Sequence, residues 1–304
     1  MKVIALIVTY NRLDKLQYSL SATLDIEFYR VLVVDNASTD GTHEWLDELS
    51  TQTERLEVLH LPYNTGGTGG FSAGLAHLTT QSEWTHVCLF DDDAWPDRGW
   101  LKALHQEPEV DGYCSNVTSL NGERCQMNIP FTRLPATLWQ TLHYMLCPAS
   151  FRPAHHRTRA LSLSFVGACL SRRCLPALQE ALIPELFLYY DDLSAGVALS
   201  RQGMFLLWSP ALRFWHDTDP QSSLSVLKRY YATRNLLWLS SLPAGPLWSR
   251  SATLLRLAQK LLQVAVVPDR KAALGAWISG VADGLKYSRK KDAVPPFPRP
   301  VRRR

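Results

Sequence analysis

Four short apolar runs, each followed directly by polar residues, constrain the fold of this chain more than any other feature. The runs cover residues 3–8, 31–34, 56–61 and 85–90. Helical spacing of apolar residues separates them, as with Leu13, Leu16 and Leu20 after the first run. Strands that alternate with helices predict a parallel sheet, and ligands of such sheets bind at the carboxyl ends of the strands. The chain is therefore predicted to be an α/β protein with its site at that edge.

Three consecutive carboxylates, Asp91, Asp92 and Asp93, follow the fourth run. Alternate side chains of a strand point the same way, so Asp91 and Asp93 are expected to face one ligand and Asp92 another direction. Two convergent carboxylates suit a hard divalent cation, Mn²⁺ or Mg²⁺, with a diphosphate. An acidic turn is the ordinary alternative for such a triplet, and the other polar segments decide against it.

Two of those segments follow the second and third runs. Asp35 precedes a helical pattern, where its carboxylate can accept a hydrogen bond from the N3–H of uracil or from a ribose hydroxyl, although a helix-capping role is equally open. The segment 64–70 carries four glycines within five positions, which lets backbone amides approach a ligand; a merely flexible loop is the alternative. It lacks the Gly-Lys-Ser/Thr ending of a P-loop and the spacing of a dinucleotide fingerprint.

Two further motifs lie in the second half of the chain. Asp191 and Asp192 follow an aromatic run and open a helical pattern, which explains one aspartate as a cap but not two. The helix dipole keeps a carboxylate there ionised, as a general base requires. His216 follows Phe214 and Trp215 at a predicted strand end; it is either a structural histidine or a third ligand for Mn²⁺.

Composition and charge narrow the class of protein. The 304 residues are 46% hydrophobic, enough for a sizeable core, and no apolar run of about 18 residues predicts a membrane span. The N-terminus lacks a signal-peptide pattern, so we expect a cytoplasmic protein with its six cysteines reduced, without structural zinc. Residues 286–304 contribute +7 to a total charge of +4, so the rest carries −3. This predicts a tail that is either solvated or lies on a membrane surface, and no nucleic-acid binding.

Seven motifs in order give the sequence a specific resemblance. The segments 7–12, 33–42, 64–71, 91–93, 190–192, 215–216 and 230–235 read IVTYNR, VVDNASTDGT, NTGGTGGF, DDD, YDD, WH and YYATRN. Together they resemble the family 2 inverting glycosyltransferases of the GT-A fold, and within them most closely the bacterial galactofuranosyl- and rhamnosyltransferase branch. The resemblance spans roughly residues 3 to 240.

The resemblance implies a role for each motif. It implies that Asp91 and Asp93 bind the metal with His216, and that Asp192, in preference to Asp191, is the catalytic base. It also implies a set of residues that hold the donor: Thr9, Tyr10, Arg12, Asp35, Asn36, Asn64, Gly66, Gly67, Gly69, Gly70, Asp91 and Asp92. Among these, the glycines are expected to shape the pocket for the donor sugar.

The resemblance further implies the domain plan and the activity. Residues 1–222 would form the catalytic domain, with a nucleotide half at about 1–100 and an acceptor half at 101–222. A helical extension at 223–285 and the basic tail at 286–304 would follow.

The expected reaction moves galactofuranose from UDP-galactofuranose, or rhamnose from dTDP-rhamnose, to a lipid-linked or polysaccharide acceptor. It would take place at the inner face of the plasma membrane, in cell-surface glycan synthesis such as that of O antigen. The rival classes are a nicotinamide-dependent oxidoreductase, which the missing fingerprint disfavours, and a non-catalytic nucleotide-sugar-binding module. Such a module would be expected to lose Asp93 or Asp192, and both are present.

Overall fold

A computed structural model describes residues 1–218, 225–242 and 245–289, and in this part of the chain one mixed sheet forms the centre of the protein. Its order is β3-β2-β1-β4-β8-β6-β9-β5, with β7 paired to β9. The strands are β1 (Val3–Thr9), β2 (Arg30–Asp35), β3 (Leu56–His60), β4 (His86–Asp91), β5 (Ala94–Pro96), β6 (Gly112–Ser119), β7 (Thr158–Ala160), β8 (Ala168–Ser171) and β9 (Leu206–His216).

The four apolar runs form the parallel part of the sheet, as predicted. Strand β1 lies between β2 and β4, and β3 pairs with the outer edge of β2, all in parallel. Every residue of β1 is buried, because helices cover both faces of the sheet. Alternate residues of β1 enter two separate cores, with Leu6 in one and Ile7 in the other. The α/β prediction with its parallel sheet is therefore confirmed.

Ten helices flank the sheet within the described residues. They are α1 (Leu13–Leu24), α2 (Thr42–Gln52), α3 (Gly66–Thr79), α4 (Trp100–Leu104), α5 (Leu138–Leu146), α6 (Leu175–Ala181), α7 (Asp191–Arg201), α8 (Val226–Leu239), α9 (Arg250–Leu262) and α10 (Arg270–Arg289). Helices α1, α2 and α4 supply side chains to one core, and α3, α6 and α7 to the other. A third core joins α7 to α8 and α9.

Three details differ from the sequence-based expectations. The glycines at 66–70 lie in the first turns of α3 and not in a loop before it. The apolar stretch 161–170 is strand only from Ala168, in β8. The apolar segments 204–208 and 214–216 each predict a strand from sequence, but one long strand, β9 (Leu206–His216), contains both of them except Met204 and Phe205. Hydrophobicity alone cannot distinguish a buried irregular segment from a strand.

Helices α8, α9 and α10 lie in the part of the chain predicted as a helical extension, and α10 ends at Arg289, beyond residue 285. The domain boundaries stay a prediction. Most of the basic tail, residues 290–304, lies outside the described residues. Among the helices that the structure describes, none combines the length and the apolarity needed to cross a bilayer.

Candidate active site

The polar motifs meet at one edge of the sheet because the parallel strands end there in register. Thr9 pairs with Asp35, which in turn pairs with His60 on the next strand. On the other side of β1, Val8 pairs with Asp91. The first four motifs therefore lie along the carboxyl ends of β3, β2, β1 and β4, as the strand pattern predicts.

The three aspartates at the end of β4 divide into two groups. Three ligand atoms lie within 4.8 Å of one another: a carboxylate oxygen of Asp91, a carboxylate oxygen of Asp93 and a ring nitrogen of His216. Asp92 points to the β1 loop instead, where it accepts a hydrogen bond from Thr9 Oγ1 at 2.9 Å. The predicted division is present, but its cause is different: β4 ends at Asp91, so a turn, and not the strand pleat, brings Asp93 back beside Asp91.

Arg12 is the cation that balances this acidic cluster in the protein itself. Its guanidinium contacts Asp92 Oδ1 at 3.0 Å and Asp93 Oδ2 at 2.6 Å. The side chain of Arg12 is 43% exposed, whereas those of Asp92 and Asp93 are almost fully buried. The Arg12 side chain that a ligand would contact here is therefore already ion-paired with Asp92 and Asp93.

The pKa values of the cluster follow from burial and pairing. Burial, helped by the charge of Asp93, raises the pKa of Asp91 to about 7. Burial also raises the pKa of Asp92 to about 6 against the opposing charge of Arg12. Burial acts the same way on Asp93, but the hydrogen bonds and charges of His216 and Arg12 outweigh it and lower the pKa of Asp93 to about 2. Within the described residues, Asp91 is thus the one carboxylate of the three that forms no salt bridge, although the charges of His216 and Arg12 act on it.

His216, at the end of β9, closes the cluster from the opposite side. Its Nε2 lies 3.1 Å from Asp93 Oδ1 and its Nδ1 lies 2.8 Å from Asn128 Oδ1. Burial lowers the pKa of His216, but the hydrogen bond to Asp93 and the neighbouring carboxylate charges prevail and raise it to about 10. Sequence reasoning missed Asn128, which lies in a segment without periodicity or a recognisable motif.

Asp191 and Asp192 begin helix α7 and face the same cavity as Asp91. Thr68 Oγ1 on α3 donates to Asp191 Oδ2 at 2.7 Å. Asp192 accepts at Oδ1 from the amide of Leu193 at 2.6 Å, and the backbone amide of Phe165, outside α7, also donates to it. Burial raises the pKa of both carboxyls, and the charges of Asp191 and Asp91 raise that of Asp192 further.

A strained segment carries the two aspartates to the cavity. Phe187, Tyr189 and Tyr190 have φ values of 65°, 69° and 67°, a region that residues with a side chain rarely adopt. The fully buried amide of Asn235 on α8 donates to the carbonyls of Leu186, Leu188 and Tyr189 at 2.7–3.1 Å.

The neighbouring Arg234 donates to the carbonyl oxygens of Glu185, at 2.5 Å, and of Leu186, at 3.1 Å. The motif at 230–235 therefore positions the segment that ends at Asp191.

The glycine-rich segment is part of helix α3 and not a flexible loop, and its glycines let this helix pack closely against its neighbours. Gly66 has φ +74°, and a Cβ there would lie 2.4 Å from the carbonyl oxygen of Phe187. A Cβ on Gly70 would lie 2.5 Å from Val8 Cγ1 of β1. Gly67, which has open space around its Cα, lines the cavity. The small residues thus seat α3 against both the sheet and the strained segment.

The other predicted donor-binding residues lie along the same edge. Asn36 is fully buried; its Nδ2 donates to the carbonyl of Gly66, and its Oδ1 accepts from the amide of Thr65, both at 2.8 Å. Asn64 Oδ1 accepts from the amide of Gly66. Tyr10 is exposed, and Asp35 is completely buried. Contact of these residues with a donor stays a prediction.

The cavity itself has a volume of about 410 Å³, a size suited to a small organic ligand. Its lining combines the acidic groups with aromatic and polar side chains: Asp91, Asp191, Asp192, His216, Gly67, Asn128, Ser164, Phe165, Arg152, Tyr189, Tyr190 and Lys228. Asp93 is not among the lining residues but borders the cavity through its contact with His216.

The donor set at the cavity floor fits a divalent ion. Two carboxylates and one imidazole present ligand atoms within 4.8 Å of one another, and oxygen-rich sets with one histidine suit Mn²⁺ or Mg²⁺. The charges of His216 and Arg12 do not offset the effect of burial on Asp91, whose pKa is still raised, and a bound ion would add positive charge there.

Comparison with known proteins agrees with this geometry. Residues 4–147 match the family described as Glycosyl transferase family 2. An undecaprenyl-phosphate mannosyltransferase from Micrococcus luteus is 37% identical over 75 residues, which cover 24% of this chain and 31% of the relative. The chain thus spans about a third of the length of this curated relative.

Solved structures show the likeness of the fold over nearly the whole chain. S. aureus TarS 1-349 in complex with UDP-GlcNAc gives a TM-score of 0.58 at 18% identity, covering 95% of this chain and 82% of that one. Mannosyltransferase PcManGT from Pyrobaculum calidifontis, in complex with GDP-Man and Mn²⁺, gives 0.55 at 14% identity, covering 96% and 88%. The predicted GT-A fold is confirmed by these likenesses.

Proposed function

We propose that the protein is an inverting, metal-dependent glycosyltransferase, and the match of residues 4–147 to Glycosyl transferase family 2 supports this proposal. It would transfer a sugar from a nucleotide donor to a hydroxyl of a lipid-linked or polysaccharide acceptor. The proposal rests on one cavity. Asp91 and His216 of the possible metal cluster line it, and so do the two carboxylates at the start of α7.

The proposed chemistry is a single displacement. The acceptor hydroxyl gives its proton to the Asp192 carboxylate as its oxygen bonds to the anomeric carbon of the donor sugar. The bond from that carbon to the phosphate oxygen breaks, and its electron pair leaves with the nucleoside diphosphate. Attack from the face opposite the leaving group inverts the anomeric configuration.

Asp192 suits the role of base better than Asp191 does. Thr68 already holds Asp191, whereas Asp192 faces the cavity with one oxygen free of side-chain partners in the described structure. The raised pKa of Asp192 brings it closer to neutrality than an ordinary aspartate, which increases its strength as a base when it is ionised.

Asp91, Asp93 and His216 would hold the divalent ion, which when bound offsets negative charge on the departing diphosphate as a Lewis acid. Arg12 lies beside the same carboxylates and would contribute a second positive charge at this end of the cavity. Mn²⁺ in the PcManGT complex supports the choice of ion.

The donor sugar is the finer part of the proposal. The motif series favours UDP-galactofuranose, with dTDP-rhamnose as the alternative. The Micrococcus luteus relative is a mannosyltransferase, so GDP-mannose should be tested as a donor together with these two nucleotide sugars.

The deciding experiment incubates the protein and Mn²⁺ with a panel of these donors and a lipid-linked acceptor. It would follow nucleoside diphosphate release and determine the anomeric configuration of the product by NMR. Inverted product from one donor, absent with Asp192→Asn, supports the proposal; stabilisation by NADH and not by UDP with Mn²⁺ would contradict it.

A membrane-surface location accompanies this function. Helix α9 leaves Leu254 and Leu262 exposed, and Val266 follows them, while Leu257 and Val264 of the predicted apolar face belong to the core. Helix α5 packs beside α9, where Gln259 contacts Met145, and it exposes Trp139 and Leu146. We call the five exposed residues Trp139, Leu146, Leu254, Leu262 and Val266 the α5/α9 surface.

The α5/α9 surface adjoins the cavity. Tyr144 of α5 accepts a hydrogen bond from Arg152, and Arg152 lines the cavity. Large apolar side chains beside a basic segment are typical of proteins that lie on anionic lipid. We infer that this surface and the tail bring the cavity to a lipid-linked acceptor.

A further inference from the structure

A second cluster of metal-ligating side chains lies at the outer end of the sheet edge, away from the aspartate triplet. Asp35 ends β2, His60 ends β3 and His43 lies in the first turn of α2. Ligand atoms of these three residues lie within 4.8 Å of one another. We propose that Asp35, His43 and His60 form a second metal site, selective for Zn²⁺.

The geometry of the three donors supports the site. Asp35 Oδ2 lies 2.9 Å from His60 Nδ1 and 3.5 Å from His43 Nδ1, so the same carboxylate oxygen faces the same nitrogen of both rings. The two rings lie against each other with their centroids 3.7 Å apart and their planes tilted by 33°. Two imidazoles and one carboxylate are the protein ligands of many zinc sites, where a water completes the tetrahedron.

An outer carboxylate, Asp47, orients the His60 ring as metal-bound histidines require, and it also lies near the His43 ring. Asp47 Oδ1 lies 2.9 Å from His60 Nε2, and Asp47 Oδ2 lies 3.6 Å from His43 Nε2. A carboxylate on the far nitrogen fixes the tautomer that leaves Nδ1 free to bind metal. His60 has a carboxylate within hydrogen-bond distance of each nitrogen, and a neutral imidazole has only one N–H, so one of these contacts needs an extra proton or a metal. A bound ion would replace the proton between Asp35 and His60.

The ligand chemistry distinguishes this cluster from the first. Two nitrogens favour Zn²⁺ over Mg²⁺ or Mn²⁺, whereas the oxygen-rich set of Asp91, Asp93 and His216 favours the harder ions. Solvent reaches the cluster because His43 is 47% exposed, although Asp35 is fully buried. The inference does not rest on the proposed transferase activity.

The test measures Zn²⁺ binding to the full chain by competition with a chromogenic chelator, in excess Mg²⁺. Wild type should bind one more Zn²⁺ than the double variant His43→Ala/His60→Ala, and Asp47→Asn should weaken that ion by about 10-fold or more. His77→Ala and Glu48→Gln are matched controls, since both residues lie outside the cluster, and they should bind like wild type.

Zinc-edge X-ray absorption on the one-zinc complex of His216→Ala should show two imidazole nitrogens at about 2.0 Å. Circular dichroism checks that each variant is folded. Equal zinc stoichiometry and affinity in wild type and the folded double variant would overturn the inference. So would a spectrum without imidazole ligands.

Discussion

The side-chain amide of Asn235 donates a hydrogen bond of 2.7 Å to the carbonyl oxygen of Leu188, four residues before the proposed base. The same amide group also donates to the carbonyl oxygens of Leu186 and Tyr189 in the strained segment. A carboxylate cannot donate these bonds, so Asn235→Asp should destabilise the protein by about 1–3 kcal/mol or more. It should also lower kcat more than it raises KM, because the start of α7 shifts.

Asn121→Asp is the matched control for this change. Asn121 Oδ1 accepts from Ser119 Oγ and from the amide of Glu123, and a carboxylate oxygen can accept both bonds. Urea unfolding and steady-state kinetics of the two variants should therefore differ. Equal stability and equal kcat for Asn235→Asp and wild type would show that Asn235 does not position the segment.

The metal cluster yields a second prediction. Asp93→Ala removes one ligand and the partner of both His216 and Arg12, so Mn²⁺ and donor binding should weaken together and nearly all turnover should be lost. Calorimetric titration with Mn²⁺ and UDP measures the loss. Asp14→Ala, at an exposed position of α1, should bind like wild type. Full wild-type activity in EDTA would contradict metal dependence.

The motifs at the sheet edge could be predicted from the sequence, whereas the contact between Asn235 and Leu188 could not. Local hydrophobic periodicity predicted β1 to β4, and parallel pairing then places the motifs at one edge whatever the details of the loops. Asn235 contacts Leu188 across 47 residues and His216 contacts Asn128 across 88. No local pattern encodes such distant contacts, so the role of the 230–235 motif and the presence of Asn128 emerged only from the structure.

The third prediction concerns the base. Asp192→Asn keeps the shape of the side chain but cannot accept the proton, so kcat should fall by about 10² or more with little change in donor affinity. Wild-type kcat should rise with pH above the usual aspartate range, since the raised pKa of Asp192 leaves it protonated at lower pH.

Asp191→Asn removes a negative charge beside Asp192, so the pKa of Asp192 should fall and the rise of kcat should occur at lower pH. Rates measured across pH for the three proteins check both points. If Asp191→Asn abolishes turnover and Asp192→Asn does not, Asp191 is the base.

The fourth prediction concerns proton release at His216. Without an ion, Asp93 raises the pKa of His216 to about 10, so the imidazole is charged at neutral pH and must lose a proton to bind metal. Mn²⁺ affinity should therefore increase with pH up to that pKa. Calorimetry in two buffers of different ionisation enthalpy should detect the released proton. His216→Ala should reduce the release to the part that Asp91 contributes and weaken Mn²⁺ binding by roughly 10-fold or more. A binding enthalpy independent of the buffer would contradict this role.

The fifth prediction concerns the membrane. The eight Lys/Arg residues of the segment 286–304 contribute about 1 kcal/mol each near anionic lipid at low salt, and the α5/α9 surface adds apolar contact. The protein should sediment with anionic vesicles, and deletion of residues 290–304 or added salt should release it.

The two contributions can be separated by substitution. Leu262→Ser and Val266→Ser should weaken binding at both low and high salt, because apolar contact is not screened. A control with Leu120→Ser changes an exposed leucine outside the α5/α9 surface and should bind like wild type. Equal binding of the truncated and full-length chains to neutral and anionic vesicles would refute the electrostatic part, and unchanged binding of the serine variants would refute the apolar part.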